Sequence, residues 1–496
     1  MNKANINDLM KQTGVGFGTS GARGLVEAMT DEVCYLYTVA FLQYLQADGQ
    51  ISQGCEVAIA GDLRPSTPGI LAAVICAVES LGYQPLFCGT IPSPAVALLG
   101  LERKIPSIMV TGSHIPDDRN GIKFNKPAGE ILKPDEEGIR KQCVNAPEGL
   151  FDEKGCFLRP ASLPAIDPVG RGHYLDRYCQ LFPADIFAGC RVGVYQHSSV
   201  ARELMVEVLE ALGAEVIRLG YSDQFIPVDT EAIRPEDIIL ARQWVAEYKL
   251  DALVSTDGDG DRPLVSDEQG EWLRGDVAGM LTAYYLKASH VVTPVSSNSV
   301  VERCGWFDQV SRTRIGSPYV IEKMQQAMMG HATAVVGYEA NGGFLQASTL
   351  ELFGSTLSPL PTRDALIVIL AIIAMSREQG VDISALLAQL PERYTYSDRI
   401  KSFPQTLSNE KISQLASGNF EQDAAGFDRL FGSEFGKVTT IDYTDGVRFS
   451  FDTDEVVHLR PSGNAPELRC YTEADSVARA VEMNGVCLTV MNEWRK

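Results

Sequence analysis

Basic residues are scarce in this sequence relative to acidic ones. Its 496 residues include 43 lysines and arginines against 64 aspartates and glutamates, which gives a formal net charge of −21. A surface with that charge repels nucleic acid and anionic membranes, so we exclude proteins that coat either of them by charge alone. Any site for an anionic substrate must then be a local basic pocket inside a repelling envelope.

Signatures of a disulfide scaffold or a zinc site are also missing. The 11 cysteines are scattered and none forms a Cys-x-x-Cys pair, while the six histidines lie far apart. This cysteine usage is typical of reduced thiols in a cytoplasm. The histidine spacing argues against a histidine-based metal cluster.

Long apolar runs are absent. The longest, Ala365 to Met375, is too short to span a bilayer and predicts a buried helix. The first fourteen residues contain no apolar core and do not predict a signal peptide. We therefore expect a cytoplasmic protein with no membrane partner.

The composition that is present, 45% hydrophobic and 22% charged, is that of a globular protein. At about 100–200 residues per domain, the length predicts three or four domains. A strand–helix–strand pattern occurs at residues 54–87 and again at 189–219, and a less complete copy occurs at 291–315. Such units build parallel sheets, so we predict three doubly wound α/β domains of similar topology. The alternative is that any α/β protein yields such pairs by chance.

The C-terminal part has a different pattern. Short consecutive strands are predicted at Thr439 to Tyr443, Gly446 to Phe451 and Val456 to Arg460, flanked by helices near 410–415 and 476–489. This order favours a small α+β domain with an antiparallel sheet. We place the four domains at residues 1–157, 158–273, 274–393 and 394–496.

A metal-binding loop is predicted at residues 257–262, which read Asp-Gly-Asp-Gly-Asp-Arg after a strand. Alternating carboxylates separated by glycines can surround one hard cation, and open α/β sheets bind ligands at the carboxyl ends of strands. One alternative is an EF-hand loop, with Glu268 at its twelfth position. Arg262 argues against it, because it occupies the sixth position, where glycine makes the turn. A purely structural acidic turn is the other alternative.

A candidate nucleophile lies in residues 111–116, Thr-Gly-Ser-His-Ile-Pro, which also follow an apolar strand. Ser113 is placed in the loop just past that strand, where Gly112 permits close backbone approach. A nearby lysine, Lys123, can balance the charge of a serine phosphate or move a proton. The alternative is a serine that only forms a turn.

Three further loops offer anion or sugar contacts. Residues 17–24 form a glycine-rich stretch around Arg23, and residues 337–343 present Glu339 and Asn341 after a strand. The first suits a phosphate, and the second suits a sugar diol. Residues 460–469, Arg-Pro-Ser-Gly-Asn-Ala-Pro-Glu-Leu-Arg, predict a phosphate clamp. The alternatives are simple turns and a solvated basic loop.

Taken in order, these segments resemble the α-D-phosphohexomutase family, which includes phosphomannomutases and phosphoglucomutases. The resemblance covers nearly the whole chain and is carried above all by Thr111-Gly-Ser-His and Asp257-Gly-Asp-Gly-Asp-Arg. It implies four domains around a central cleft, three of them α/β domains of shared topology and the last α+β.

The resemblance also implies roles for individual residues. Ser113 would carry the transferred phosphoryl group and would bind Mg²⁺ together with the three aspartates of the acidic loop. Catalytic support would come from Lys123 as general acid/base and from Arg23, Arg262 and His114. The substrate would be contacted by Glu339, Asn341, Arg314, Arg460, Ser462, Gly463, Asn464 and Arg469. The metal ligands among the aspartates would be Asp257, Asp259 and Asp261.

Two loops depart from the family pattern. The sugar loop of many relatives reads Gly-Glu-x-Ser-Gly-His, whereas Asn341 and Gly343 stand here in place of Ser and His. The phosphate loop often reads Ser-Gly-Thr-Glu-Pro, whereas here it reads Ser462-Gly-Asn-Ala-Pro466. The phosphate role survives because Asn can still donate, but the identity of the sugar is open.

The activity implied is a phosphomannomutase that interconverts mannose 6-phosphate and mannose 1-phosphate through a phosphoserine and a hexose 1,6-bisphosphate, which also serves as activator. Overall likeness to bacterial enzymes of surface-polysaccharide pathways favours mannose. The alternatives are a phosphoglucomutase or a dual-specificity enzyme, a Mg²⁺-dependent phosphatase, and a non-catalytic binder of sugar phosphates. Hexose phosphates are the expected partners of a monomer or homodimer.

Overall fold

The structure is a computed structural model that describes residues 4–18, 20–432, 434–462 and 466–495. Its first domain contains α1 (Ile6–Thr13), α2 (Asp31–Ala47), α3 (Thr67–Ser80), α4 (Ser93–Arg103) and α5 (Lys133–Arg140), with a 3₁₀ turn at Val26–Ala28. Its strands are β1 (Ala4–Asn5), β2 (Gly16–Phe17), β3 (Gly21–Leu25), β4 (Glu56–Gly61), β5 (Gln84–Phe87), β6 (Ser107–Val110), β7 (Arg119–Lys126), β8 (Gly129–Glu130) and β9 (Cys143–Val144).

The second and third domains follow the same plan. The second contains α6 (Val169–Cys179), β10 (Arg191–His197), α7 (Arg202–Ala211), β11 (Glu215–Tyr221), α8 (Pro235–Tyr248), β12 (Ala252–Thr256) and β13 (Pro263–Val265). The third contains α9 (Gly275–Tyr285), β14 (His290–Pro294), α10 (Val300–Arg303), β15 (Gln309–Thr313), α11 (Ser317–Met329), β16 (Val335–Tyr338), β17 (Phe344–Gln346), β18 (Leu350–Leu352), β19 (Ser355–Leu357), β20 (Leu360–Asp364), α12 (Ala365–Gln379) and α13 (Ile383–Leu387).

One strand order is repeated in all three sheets. The orders β5-β4-β6-β7, β11-β10-β12-β13 and β15-β14-β16-β17 each place three parallel strands beside one antiparallel strand. Successive strand residues alternate between the two faces of a sheet. In the second domain Val192 and Val194 pack with α7, whereas Tyr195 and Leu253 pack with α8. The predicted repeat of three doubly wound domains is therefore confirmed.

The topology brings equivalent loops to equivalent places. In each domain the connection from the last parallel strand to the antiparallel strand leaves the carboxyl edge of the sheet, where ligands bind. These connections are β6–β7, β12–β13 and β16–β17, and they contain the predicted serine, aspartate and sugar loops respectively. One apolar core spans the first three domains and includes most of the helix α12, which is buried as predicted for residues 365–375, and the first domain has a second core of its own.

The fourth domain has its own core and an antiparallel sheet, as predicted. It contains β21 (Tyr394–Ile400), α14 (Gln405–Ser413), α15 (Phe420–Phe431), β22 (Val438–Asp442), β23 (Val447–Phe451), β24 (Val456–Pro461), β25 (Leu468–Ala474) and α16 (Val477–Glu493). The sheet order is β21-β25-β24-β23-β22. Sequence patterns missed the strands β21 and β25, which carry charged residues among apolar ones. They also missed α15, although its buried residues Asp423, Phe427 and Phe431 recur at helical spacing. The exact domain boundaries stay predictions.

Two further expectations concern the whole chain. All 11 cysteines carry free thiols. Among the described residues, no helix combines the length and the apolar character needed to cross a bilayer.

Candidate active site

The serine loop and the aspartate loop meet across the boundary between the first two domains. Ser113 is 2% exposed, and its hydroxyl donates a 2.6 Å hydrogen bond to Asp257 Oδ2. The backbones also touch, since a Cβ at Gly258 would lie 2.8 Å from the Ser113 carbonyl oxygen. Ser113 adopts φ +56°, a left-handed conformation that a non-glycine residue rarely takes. This strained backbone, held by the Thr111 hydroxyl that accepts from Ser113 N, points the hydroxyl at the acidic loop.

The three aspartates form a set that fits a hard cation. One oxygen from each of Asp257, Asp259 and Asp261 lies within 4.8 Å of the others, and all three residues are buried. Asp259 Oδ1 and Asp261 Oδ1 are buried without a hydrogen-bond partner among the described residues. Burial and the two neighbouring carboxylates raise the pKa of Asp257 well above its usual range. A divalent cation would supply the missing partners and relieve the repulsion between like charges.

Lys123 on β7 neutralises part of this acidic set. Its Nζ lies 2.6 Å from both Asp259 Oδ2 and Asp261 Oδ2. Burial opposes the charged form of the amine, but the two ion pairs outweigh it and raise its pKa. Ser93 at the start of α4 also donates to Asp259 Oδ2, at 2.5 Å. The first domain therefore contacts the aspartate loop of the second domain through three side chains, those of Ser113, Lys123 and Ser93.

Positive charge is concentrated on the cleft side of Ser113. Burial and the nearby Arg262 lower the pKa of Arg23 to about 10. The same two causes lower the pKa of His114 to about 3, and His114 Nδ1 lies 3.3 Å from Ser113 Oγ. Arginines crowded so closely that the pKa of Arg23 falls indicate a site that an anion would stabilise.

The sugar loop faces the same space. Glu339 is 3% exposed and pairs with Arg363 Nε at 2.5 Å. Asn341 shapes the loop, because its Oδ1 accepts from Gly343 N at 2.9 Å and its carbonyl accepts from the Thr230 hydroxyl at 2.7 Å. Both predicted sugar-loop residues therefore line the cleft, and their contacts with a sugar stay predictions.

The fourth domain closes the cleft with Arg460, Ser462 and Arg469. Arg460 Nε lies 2.7 Å from Asp445 Oδ2, and Arg469 donates to Glu467 at 3.2 Å. The predicted Gly463 and Asn464 lie outside the described residues.

Arg314 is not among the residues that line the cleft. It is exposed, and its Nε donates to the carbonyl of Thr444 at the contact between the third and fourth domains. Its predicted contact with the sugar stays a prediction.

The cleft as a whole is a basic cavity of about 550 Å³ between the four domains. Eight arginines and lysines line it against four aspartates and glutamates, in a chain whose net charge is −21. The cleft is therefore the local basic pocket that the sequence predicts for any anionic substrate of so acidic a chain. Its dimensions suit a small phosphorylated molecule.

The EF-hand alternative is wrong. The acidic loop joins two antiparallel strands, β12 and β13, and not two helices. Glu268 instead accepts hydrogen bonds from the backbone and hydroxyl of Ser384 at the start of α13.

Arg64 is a positioning residue to which sequence reasoning assigned no role. It is 1% exposed, pairs with Asp62 at 3.2 Å, and donates to four backbone carbonyls of the serine loop and the segment after it. These belong to Ser113, Ile115, Pro116 and Arg119. Its guanidinium also stacks over Phe225 of the second domain, 4.1 Å from the ring centroid. Asp62-Leu-Arg64 after β4 was the only signal for it.

Other residues that sequence reasoning missed are Ser93, Asp229, Glu231 and Arg363, which come from different domains and share no sequence motif.

We expect Arg64→Ala to destabilise the chain by about 3–5 kcal/mol, because it leaves the buried Asp62 carboxylate and the carbonyls unpaired. The midpoint of thermal unfolding measures this. Arg119→Ala is the matched control, since that side chain is exposed and, among the described residues, has no recorded hydrogen bond or ion pair, while Arg64 contacts only its backbone carbonyl. Equal midpoints for the two variants would contradict the role of Arg64.

Known proteins share the domain organisation of this chain. Four phosphoglucomutase/phosphomannomutase family models match the chain: alpha/beta/alpha domain I at residues 14–148, domain II at 174–270, domain III at 274–394, and the C-terminal domain at 409–484. A phosphomannomutase of Salmonella muenchen is 42% identical over 473 residues, which cover 95% of this chain and 94% of the relative. A phosphomannomutase of Sinorhizobium fredii is 40% identical over 479 residues, which cover 97% and 99%.

Solved structures share the fold. A phosphoglucomutase/phosphomannomutase family protein of Burkholderia thailandensis matches with a TM-score of 0.74 at 19% identity, covering 96% of this chain and 97% of that one. N-acetylphosphoglucosamine mutase of Aspergillus fumigatus, solved with GlcNAc-6P and magnesium, matches with a TM-score of 0.55 at 13% identity, covering 99% and 100%. With four matching domain models and relatives at 40–42% identity over nearly its full length, the chain belongs to the phosphoglucomutase/phosphomannomutase family of α-D-phosphohexomutases.

Proposed function

We propose that this chain is a phosphomannomutase, an isomerase that interconverts mannose 6-phosphate and mannose 1-phosphate. One observation carries the proposal. The Ser113 hydroxyl is held 2.6 Å from a carboxylate of a three-aspartate cluster and lies at the edge of a basic cleft lined by all four domains. The phosphomannomutases among the relatives favour mannose over glucose as the substrate.

Ser113 is the proposed carrier of the phosphoryl group. In the first half-reaction the P–Oγ bond of phosphoserine breaks and a bond forms between phosphorus and a hydroxyl of the hexose monophosphate. The proton of that hydroxyl goes to a base, and we assign this role to Lys123, whose amine must first give up its own proton because its ion pairs with Asp259 and Asp261 hold it charged and raise its pKa. The product is a hexose 1,6-bisphosphate, which turns end for end and returns its other phosphate to Ser113. Phosphoryl transfer of this kind depends on positioning and charge neutralisation more than on new covalent chemistry.

The aspartate cluster is proposed to hold Mg²⁺ through Asp257, Asp259 and Asp261, with the Ser113 oxygen as a further ligand. When bound, Mg²⁺ neutralises charge on the phosphoryl oxygens. The oxygen donor set and the partnerless carboxylate oxygens support this choice, as does the magnesium in the fungal mutase of the same fold. Added hexose 1,6-bisphosphate is expected to activate enzyme whose Ser113 is unphosphorylated.

The other cleft residues divide by position. Arg23 and Arg262 line the cleft together with Ser113, and His114 Nδ1 lies 3.3 Å from Ser113 Oγ, so we assign all three to the transferring phosphoryl group. Arg460, Ser462 and Arg469 stand at the fourth domain's side and suit the phosphate that does not react. Glu339 lines the same cleft and suits hydroxyls of the ring. Gly463 and Asn464 are assigned to the far phosphate by the family resemblance alone.

We also propose a cytoplasmic location, which the 11 free thiols support. The oligomeric state, monomer or homodimer, stays a prediction.

Intact mass spectrometry tests the phosphoserine. We expect one phosphate on the purified enzyme after incubation with hexose 1,6-bisphosphate, and none on Ser113→Ala, which also loses activity. Ser20→Ala is a matched control, because Ser20 lines the same cleft and hydrogen-bonds Glu130 instead of the aspartates. A phosphate retained in Ser113→Ala would refute the assignment. Release of inorganic phosphate without isomerisation would indicate a phosphatase.

Direct metal binding tests the aspartate cluster. We expect Asp259→Ala to lose Mg²⁺-dependent turnover and to weaken Mn²⁺ binding, measured by electron paramagnetic resonance, by at least about 10-fold. The fold should persist, as judged by circular dichroism. Glu268→Ala is the acidic control, because that carboxylate bonds Ser384 away from the cluster. Unchanged Mn²⁺ binding in Asp259→Ala would remove this residue from the ligand set.

A coupled assay with both hexose 1-phosphates tests the sugar. We expect a higher kcat/KM for mannose 1-phosphate than for glucose 1-phosphate. Equal or faster turnover of glucose 1-phosphate would favour a phosphoglucomutase or a dual-specificity enzyme. Binding of either sugar phosphate without turnover would favour a non-catalytic binding protein.

A further inference from the structure

A second cavity lies between the third and fourth domains and is separate from the reaction cleft. Its volume is about 250 Å³, and among the described residues it shares no lining side chain with the cleft. One wall belongs to the third domain and includes Arg303 and Arg312, whereas the other belongs to the sheet of the fourth domain and includes Arg448. Because the proposed function uses none of these residues, it does not explain why the cavity is lined with arginines.

The strand β23 supplies part of the fourth-domain wall through Arg448 and Ser450. Val447, Phe449 and Phe451 of the same strand are buried in the apolar core of that domain. Because successive strand residues alternate between the two faces of a sheet, Arg448 and Ser450 lie on the opposite face, toward the third domain. The pleat of a regular strand therefore fixes the arginine at the cavity.

The two arginines of the third-domain wall already have acidic partners. Arg312 Nε and Nη2 each lie 2.7 Å from one oxygen of Glu302, and Arg312 Nη1 donates to two backbone carbonyls. The charge of Arg312 is therefore neutralised and its donors are used. Arg303 pairs with Asp454 at 3.3 Å, and both of these side chains are exposed.

Arg448 is the cation of the cavity that lacks an acidic partner. In the part of the chain that the structure describes, its one recorded hydrogen bond goes to Ser450 Oγ at 3.3 Å, and it has no recorded ion pair. Burial, followed by the positive charge of Arg312, lowers the pKa of Arg448. A guanidinium has five donors, so this one keeps most of them for a ligand. An anion would offset both the cost of burial and the repulsion between the two arginines.

The cavity lining is positive in sum, although one carboxylate of the sheet opposes an anion. Its ionisable side chains are three arginines and two carboxylates. Asp442 stands opposite Arg448 in the register of β22 and β23, but no ion pair between the two is recorded among the described residues. Asp442 Oδ1 instead accepts from Thr444 N at 2.7 Å. The lining is therefore locally basic in a chain whose net charge is −21.

We propose that this cavity is a second anion site, which binds the phosphate group of a small ligand through Arg448 and Ser450. A phosphate has three strong acceptor oxygens, which match the fork of a guanidinium and a neighbouring hydroxyl. The cavity is less than half as large as the reaction cleft, which favours a small ligand. Bound there, the phosphate lies between Arg312 and Arg448 and strengthens the contact between the third and fourth domains.

Counting bound phosphate tests the site. The full-length wild type and its variants are dialysed to equilibrium against radiolabelled inorganic phosphate, with chloride holding the ionic strength constant. We expect Arg448→Met to weaken one phosphate site at least about 10-fold, because a charge-assisted contact is lost. Arg429→Met is the matched control, since Arg429 is exposed on α15, outside the cavity lining. Arg460→Ala should weaken only the phosphate bound in the cleft. Equal phosphate binding by the wild type and Arg448→Met would overturn the proposal.

Thermal unfolding separates a binding role of Arg448 from a structural one. Methionine keeps the length of the side chain without its charge, so in chloride Arg448→Met should unfold at a midpoint no lower than that of the wild type. Inorganic phosphate should then raise the midpoint less in Arg448→Met than in Arg429→Met. A lowered midpoint in chloride with an undiminished response to phosphate would show that Arg448 only supports the fold, and would exclude the site.

A second variant covers the case in which Arg448→Met fails to fold. Asp442→Asn removes the carboxylate that stands opposite Arg448, while the amide oxygen can still accept from Thr444 N. Loss of the opposing charge should tighten phosphate binding in the cavity about 3- to 10-fold in the same dialysis experiment. Unchanged or weaker binding in this variant would contradict a phosphate held beside Arg448.

Discussion

The contact between two loops from different domains is the constraint on which the rest of the site depends. The serine loop and the aspartate loop approach so closely that position 258 has no room for a side chain against the Ser113 carbonyl. This approach sets the 2.6 Å hydrogen bond from Ser113 to Asp257. The serine is held there in a left-handed backbone conformation, which costs about 1–3 kcal/mol and persists only where surrounding contacts enforce it. Arg64, Ser93 and Lys123 are those contacts, and each ties the first domain to one of the two loops.

A threefold repeat of one topology explains how the loops come to meet. Each α/β domain sends one connection out of the carboxyl edge of its sheet, between its last parallel strand and an antiparallel strand. The repeat supplies three equivalent loops with different chemical groups: a hydroxyl, a carboxylate cluster, and a glutamate and an asparagine that line the cleft. One continuous core holds these domains together, whereas the fourth domain has its own core. Its contacts with the third domain include polar bonds such as Glu473 with Ser299 and Arg393.

The charge of the cleft lining is opposite in sign to the net charge of the chain. A chain with a net charge of −21 concentrates cations around one cavity and leaves most of them only partly exposed, so they interact with a ligand at lower effective dielectric than in water. Preorganised charges of this kind stabilise a developing anion without reorganisation during the reaction. The ion pair of Arg363 and Glu339 is also part of this lining.

The sequence by itself determined the fold class, the repeat, and the loops that carry Ser113, the three aspartates, Glu339 and Arg460. These depend on local properties: apolar periodicity marks the strands, and glycine-rich polar segments mark the loops that follow them. Only the tertiary structure decided the partners of those loops. Arg64 and Ser93 bond groups on other segments, and Arg363 pairs with Glu339. Arg314 lies outside the cleft lining, and a side chain at position 343 would collide with the stem of Arg363, twenty residues away. Such contacts depend on how strands and domains pack in three dimensions, and no spacing along the chain encodes the distance between two loops that different sheets present.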